Sequence, residues 1–207
     1  MDDIIQGSPE WFALRCGKVT ASRVADVIAT TKSGPSASRQ NYLAQLVAEI
    51  LTGTTADSYS NAAMVWGTET EPHARAAYEF YNDVSVVEVG FVVHPSITQS
   101  GASPDGLVGD EGLVEIKCPN TSTHIATLLD QKVPAKYITQ MMWQMACTET
   151  AWCDFVSFDP RLPEDLQLFV RRVERDNERI SELENAVVKF LIDVDQTILA
   201  LNKLRAA

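Results

Sequence analysis

Two carboxylates and a lysine are spaced in this chain as metal-assisted phosphodiester chemistry requires. Ser103-Pro104-Asp105-Gly106 is followed, across a turn, by Val114-Glu115-Ile116-Lys117. Residues two apart on a strand share a face, so Glu115 and Lys117 are expected to project together while Ile116 points to the core. A neighbouring strand ending at Asp105 would bring a second carboxylate alongside. Two carboxylates and the Ile116 carbonyl are hard oxygen ligands of the kind Mg²⁺ takes, with positions left for water and phosphate. Lys117 beside that water can orient it and favour its hydroxide form, which suits phosphodiester hydrolysis. The same residues also fit an ordinary surface hairpin, with a solvated Glu/Lys pair and Pro-Asp-Gly as turn chemistry. The flanking sequence has to decide between the two.

The elements that must position these residues can be read from periodicity. A short helix capped by Thr or Ser is expected from Thr20, a mobile Ser/Gly/Pro-rich loop over Thr30 to Ser38, and helices at 38–52 and 68–82. After Asn82-Asp83 the pattern turns β-branched: Val84 to Val93, Gly101 to Val108 and Gly112 to Cys118 predict a three-stranded meander. Two helical stretches divided at Pro134, strands near Trp152–Phe158 and Leu166–Val173, and a long final helix complete the order. The stripe Ile180, Leu183, Val187, Leu191, Val194, Ile198 and Leu201 on that helix is expected to cover the parent domain, with a subunit contact as the other reading. The expected fold is α/β, a single domain over residues 1–207 with a mainly helical part at 1–83, a catalytic sheet core at 84–175 and the final helix at 176–207.

Composition narrows the classes. A chain of 207 residues that is 45% hydrophobic can bury a real core. It has no apolar run long enough to span a bilayer, and its Met1-Asp2-Asp3 start is acidic where a leader would be basic, so a soluble, cytoplasmic protein with no membrane partner is expected. Cys16, Cys118, Cys147 and Cys153 are widely spaced with no C-x-x-C pair, which disfavours a zinc site, an iron–sulfur cluster or a disulfide scaffold. A net charge of −11 argues against binding DNA through an overall positive surface, so any DNA site must be small and focused.

The flanks resemble the phage lambda exonuclease and YqaJ-type viral recombinase family of the PD-(D/E)xK nuclease superfamily. The resemblance rests on Gly101-Ala102-Ser103-Pro104-Asp105-Gly106-Leu107, Glu115-Ile116-Lys117-Cys118-Pro119, Trp11-x-x-x-Arg15 with Thr20-Ala21-Ser22, Trp66-Gly67-x-x-x-Glu71 and Tyr137-x-x-Gln140, in family order over roughly residues 6–160. It implies a restriction-endonuclease-like core, with a central mixed sheet flanked by helices. It implies an alkaline-type exonuclease digesting double-stranded DNA from 5′ ends to mononucleotides, with two Mg²⁺ ions (or Mn²⁺). Asp105 would bridge both metals, Glu115 and the Ile116 carbonyl would hold one, Glu71 would help hold the other, and Gln140 would lie beside the attacking water. Arg15, Ser22 and Ser103 match the family's 5′-phosphate pocket. Glu71 also fits plain helix-dipole complementarity before Pro72, Gln140 a buried polar residue, Ser22 an N-cap and Arg15 a surface ion pair. Trp11 can stack on a base or wedge the duplex, or simply anchor the N-terminal segment.

One departure is visible: the family pattern carries a further Arg where this chain has Thr123, leaving His124 as a substitute cation and possible DNA contact. The resemblance further implies a homotrimeric ring, a single-strand annealing partner receiving the 3′ overhang, and a phage or prophage origin in a bacterial host. Arg23, Lys32, Arg39 and Lys132 are candidates to line the ring. The competing readings are an endonuclease or repair nuclease with the same metals, and a non-catalytic DNA-end or recombinase-binding module.

Overall fold

The computed structural model describes residues 4–32, 34–55 and 62–205, apart from the side chains of residues 63 and 64; Met1-Asp2-Asp3 and Ser33 lie outside the described residues. Helix α1 (Pro9–Arg15) starts where the Ser8 hydroxyl accepts from the Trp11 N–H at 3.2 Å, with proline in its first turn. Then come β1 (Val19–Thr20), a 3-10 turn (Ala21–Arg23), α2 (Val24–Val27), β2 (Thr30–Thr31) and β3 (Gly34–Pro35). Helix α3 (Ala37–Thr52) runs from the Ser36 cap to left-handed Gly53, and α4 (Ala62–Asn82) carries Pro72 within it. The catalytic stretch follows as β4 (Val86–Val87), β5 (Val92–Val93), β6 (Ser100–Ala102), β7 (Gly106–Val108) and β8 (Gly112–Lys117). Helices α5 (Thr121–Asp130) and α6 (Ala135–Thr148), strands β9 (Trp152–Phe158) and β10 (Leu168–Glu174), and helix α7 (Asn177–Arg205) close the chain.

Among the described residues, the main sheet has the order β10-β9-β8-β7-β4; β8 and β9 are parallel and the other neighbours antiparallel. A smaller sheet has the order β1-β6-β5, with β1 parallel to β6. The fold is therefore mixed α/β, with helices on both faces of a mixed sheet and a long C-terminal helix. Alternation along β8 divides its side chains between two cores. Leu113 joins Met141, Met145, Phe155, Phe169, Val187 and Phe190 under α3, α6 and α7, whereas Val114 and Ile116 join Ala74, Tyr78, Val156 and Phe158 under α4. The α7 stripe covers the parent domain: Ile180, Leu183, Val187 and Val194 are buried, and Phe190 stacks on Tyr42 of α3 at 5.5 Å.

The three-stranded meander is corrected. Val84–Val93 and Gly101–Val108 are each broken, and the halves belong to different sheets. At the first break, Gly90 admits the backbone of Ile4, whose carbonyl would lie 2.4 Å from a Cβ there. At the second, Pro104 has no N–H for a ladder. The Gln6 side chain fastens both, donating at 2.9 Å to the Val89 and the Pro104 carbonyls. The expected capped helix at Thr20 is a 3-10 turn and a single α-turn, with no side-chain bond from Thr20. The expected loop after Thr30 holds the short β2–β3 pair.

Candidate active site

Because β8 alternates, Glu115 faces α6, and it is 0% exposed. A carboxylate that deep requires donors on its oxygens. Gln140 donates to Oε1 at 2.6 Å, Gln144 donates to Oε2 at 2.5 Å, and the Lys117 ammonium pairs with Oε1. On the neighbouring strand, β7 begins only at Gly106, and the Asp105 carboxylate accepts the Ile116 N–H at 2.6 Å. Asp105, Glu115, Lys117 and Gln140 are thus brought together.

The charges are unbalanced. Burial, then Glu115 and Glu71, pushes the Asp105 carboxyl well above its ordinary range, against the opposing pull of Lys117 and the Ile116 N–H. Burial also raises Glu71; Arg75 and Lys117 moderate this and Glu115 adds to it. Burial alone would lower Lys117, but Glu115 and Asp105 outweigh it and hold the ammonium above the usual lysine range. Three carboxylates in one field, compensated locally by Lys117 and Arg75, form a donor set that a divalent cation fits by charge and by hardness. Asp105, Glu115 and the Ile116 carbonyl are the ligands on offer. Glu71 is less ready: its Oε1 accepts from Arg75 at 2.9 Å, and Arg75 also pairs with Glu88 at 2.7 Å. Among the described residues, no three His, Cys, Asp or Glu side chains converge as a closed metal cluster.

Two openings meet here. A cavity of about 970 Å³ is lined by Gln6, Trp11, Arg15, Glu71, Arg75 and Asp105, among others. A second, of about 370 Å³, is lined by Glu71, Ile116, Lys117, Cys118 and Tyr137. Glu71 lines both, so the acidic centre lies between them. Cys118 is no nucleophile, since burial, with Glu71 and Asp105 nearby, pushes its thiol up to about 12.

At the far side of the larger cavity, the Trp11 indole N–H donates to Ser103 Oγ at 2.9 Å, and Arg15 reaches the same oxygen at 3.4 Å. The Arg15 guanidinium lies 3.8 Å over the Trp11 ring, so Trp11 aims the arginine as well as anchoring its own segment. Burial lowers the Arg15 pKa, partly offset by Tyr42 and Glu49. Ser22 is exposed, 3.5 Å from Thr20 Oγ1, and has no contact with Arg15 or Ser103 among those described. The parallel pairing of Thr20 with Gly101 nevertheless places Ser22 and Ser103 each two residues beyond one paired position.

His124 is corrected as a DNA contact. It is 0% exposed, with Nδ1 2.7 Å from Ser157 Oγ and Nε2 2.9 Å from the Leu166 carbonyl, so it fastens α5 to the sheet. The Thr123 N–H donates to the Asn120 side chain at 2.9 Å as part of the α5 cap. Of the basic residues considered for a channel, Arg23 is paired with Asp26 at 2.6 Å and Arg39 with Asp193 at 2.7 Å, whereas Lys32 and Lys132 are exposed.

The family described as the YqaJ-like viral recombinase domain matches residues 10–151. This chain belongs to that family. Among solved structures it is similar to the alkaline exonuclease LHK-Exo of Laribacter hongkongensis, at 55% identity and TM-score 0.90, over 96% of this chain and 98% of that one. A crystal structure of LHK-Exo in complex with dAMP gives 56% identity, TM-score 0.90 and the same coverage. A phage-related exonuclease from Haemophilus somnus 129PT, at 17% identity, TM-score 0.73 and 89% and 96% coverage, shares the fold. No curated protein matches by sequence. No described helix of this YqaJ-like chain is long and apolar enough to cross a membrane.

Sequence reasoning passed over Gln144, Arg75 and Gln6. Gln144 lies one turn beyond Gln140 and Arg75 one turn beyond Glu71, so the four-residue spacing on one helix face was the available signal. Nothing local marks Gln6, whose carbonyl partners are 83 and 98 residues away.

Proposed function

We propose that this YqaJ-like protein is a Mg²⁺-dependent exonuclease that degrades double-stranded DNA from a 5′ end, releasing 5′-mononucleotides and leaving a 3′ single strand. The observation that carries this reading is the buried Glu115 carboxylate, held by Gln140, Gln144 and Lys117 beside Asp105, with the Arg15–Trp11–Ser103 constellation across the adjoining cavity. The similarity to LHK-Exo supports the reaction class. A divalent cation bound by Asp105, Glu115 and the Ile116 carbonyl, with Glu71 serving a second ion or Mn²⁺ substituting, would polarise the scissile phosphate and ease ionisation of water.

The side chains do the rest. Gln140 spends its amide N–H on Glu115, leaving its carbonyl to accept from the attacking water. Lys117, a stable cation here, orients that water and balances the charge that develops on phosphorus-bound oxygen. Arg15 and Ser103 supply donors for a terminal phosphate dianion, with Ser22 on the adjacent segment, and the Trp11 ring fixes the guanidinium plane. With Thr123 in place of an arginine and His124 buried, this grip is lighter than the family pattern implies, so selectivity for a phosphorylated end is expected to be partial. In this reading the enzyme is phage- or prophage-encoded, works in the cytoplasm of a bacterial host as a homotrimeric ring, and passes its 3′ strand to a single-strand annealing protein.

The test is digestion, with Mg²⁺, of linear duplexes labelled on one strand and carrying a 5′-phosphate or a 5′-hydroxyl, beside a closed circle and an Asp105→Ala control. Mononucleotides from the phosphorylated 5′ strand, spared circles and an inert variant are expected. Cleaved circles would shift the reading to an endonuclease. No metal-dependent cleavage of any substrate would leave a DNA-end-binding module.

A further inference from the structure

Glu115 is held from both sides by one helix. Gln140 and Gln144 lie a single turn apart on α6 and their amides reach different oxygens of the same carboxylate, Oε1 at 2.6 Å and Oε2 at 2.5 Å. They differ in surroundings: Gln140 is half-buried beside the open site, whereas Gln144 is 0% exposed among Met141, Trp143, Met145 and Ala146. A glutamine there is costly, because an amide withdrawn from water must recover hydrogen bonds on both ends. Gln144 recovers only one, since its Oε1 is buried with no partner. A methionine would fill the same volume without that cost, so the position is not explained by packing.

Lone-pair counting shows what Gln144 accomplishes. An ionised carboxylate has about four acceptor sites, two per oxygen. Gln140 and Lys117 both address Oε1, and Gln144 addresses Oε2. The acceptor site left over is on Oε2, the oxygen that Gln144 holds.

We infer that Gln144 is a positioning residue: it fixes the Glu115 carboxylate so that Oε2 is presented to the divalent cation, and thereby sets the affinity of the site for metal. This rests on the metal-dependent reading above. It assigns Gln144 no contact with DNA or with the reacting phosphate.

The experiment titrates Mg²⁺ and Mn²⁺ by calorimetry into the full chain without DNA, for wild type, Gln144→Met, Gln144→Asn and Asp105→Asn, with melting curves recorded in chelator. Residues that orient a metal ligand are worth about 10- to 100-fold in affinity. Gln144→Met is therefore expected to bind at least about tenfold more weakly, while melting in chelator at or above the wild-type temperature because the orphaned carbonyl is gone. Its cleavage rate at saturating Mg²⁺ is expected to recover most of the wild-type kcat, the loss appearing in the metal concentration required. Gln144→Asn keeps the amide but withdraws it by one methylene. It should weaken metal binding in the same direction, which covers the case of a Met variant that does not fold. Metal affinity within about twofold of wild type in a folded variant would overturn the inference and leave Gln144 a core residue. Wild type that binds no divalent cation, or Asp105→Asn that binds as tightly as wild type, would instead overturn the metal-dependent reading and this inference with it.

Discussion

At the scale of single residues, the site is defined by how its carboxylates are neutralised. Glu115 is buried yet surrounded by donors; Asp105 is left with one backbone N–H and two neighbouring carboxylates, so its acid form is favoured above the ordinary aspartate range. The sign follows directly. A raised pKa means that the empty site holds a proton which a cation must displace, so lowering the pH opposes binding and raising it helps. Mg²⁺ affinity is accordingly expected to climb severalfold between about pH 6 and about pH 8.5, with net proton release seen as a dependence of the binding heat on the buffer's ionisation enthalpy. A flat affinity and no proton release would mean that Asp105 is already ionised in the empty protein. Lys117→Met bears on the same balance: removing the ammonium leaves Asp105 and Glu115 without their nearest cation, and a fall in kcat of at least about 100-fold is expected.

Elements set the geometry those residues need. Strand β7 must stop at Gly106 so that Asp105, rather than a ladder partner, takes the Ile116 N–H, and β4 must pack closely over Gly106 itself. A Cβ at Gly106 would lie 2.1 Å from Val86 Cγ1, so Gly106→Ala must displace β4 or β7. A loss of about 1–3 kcal/mol is expected from such overpacking, and because Asp105 is the next residue, activity should fall more than stability does; urea melts beside Mg²⁺-dependent cleavage would separate the two. The sequence made much of this legible. Alternation placed Glu115 and Lys117 on one face, and the helices at Ala37–Thr52 and Ala135–Thr148 were marked by apolar periodicity and by Pro134. Where the reading failed, the deciding contact was distant in the chain. The backbone of Ile4 at Gly90 and the Gln6 bonds at Val89 and Pro104 divide strands that look continuous locally, and Ser157 and the Leu166 carbonyl withdraw His124 into the core. Gln144 escaped because a polar residue in an apolar stretch acquires meaning only once Glu115 is known to face it.

For the whole molecule the problem is how a chain of net charge −11 meets a polyanion. Several of its cations are spent internally: Arg23, Arg39, Arg161 and Arg172 are paired with aspartates, and Arg75 with Glu71 and Glu88. What faces the cavities is a short list, Arg15 on one side of the acidic centre and Lys117 on the other. Duplex is therefore repelled by most of the surface and attracted where these two cations converge with Ser103 and bound metal. Each phosphate neutralised by a side chain contributes about −0.9 to the slope of log K against log salt, so a focused site predicts a shallow slope, between about −2 and −4 per subunit. Binding of duplex ends to Asp105→Asn, measured across a salt series with Mg²⁺ held constant, reads this slope without cleavage, and Arg15→Gln should reduce it by about one unit. A slope several units steeper would reveal a basic surface assembled from more than one copy of the chain. An affinity indifferent to salt would mean that phosphate contacts do not hold the DNA at all.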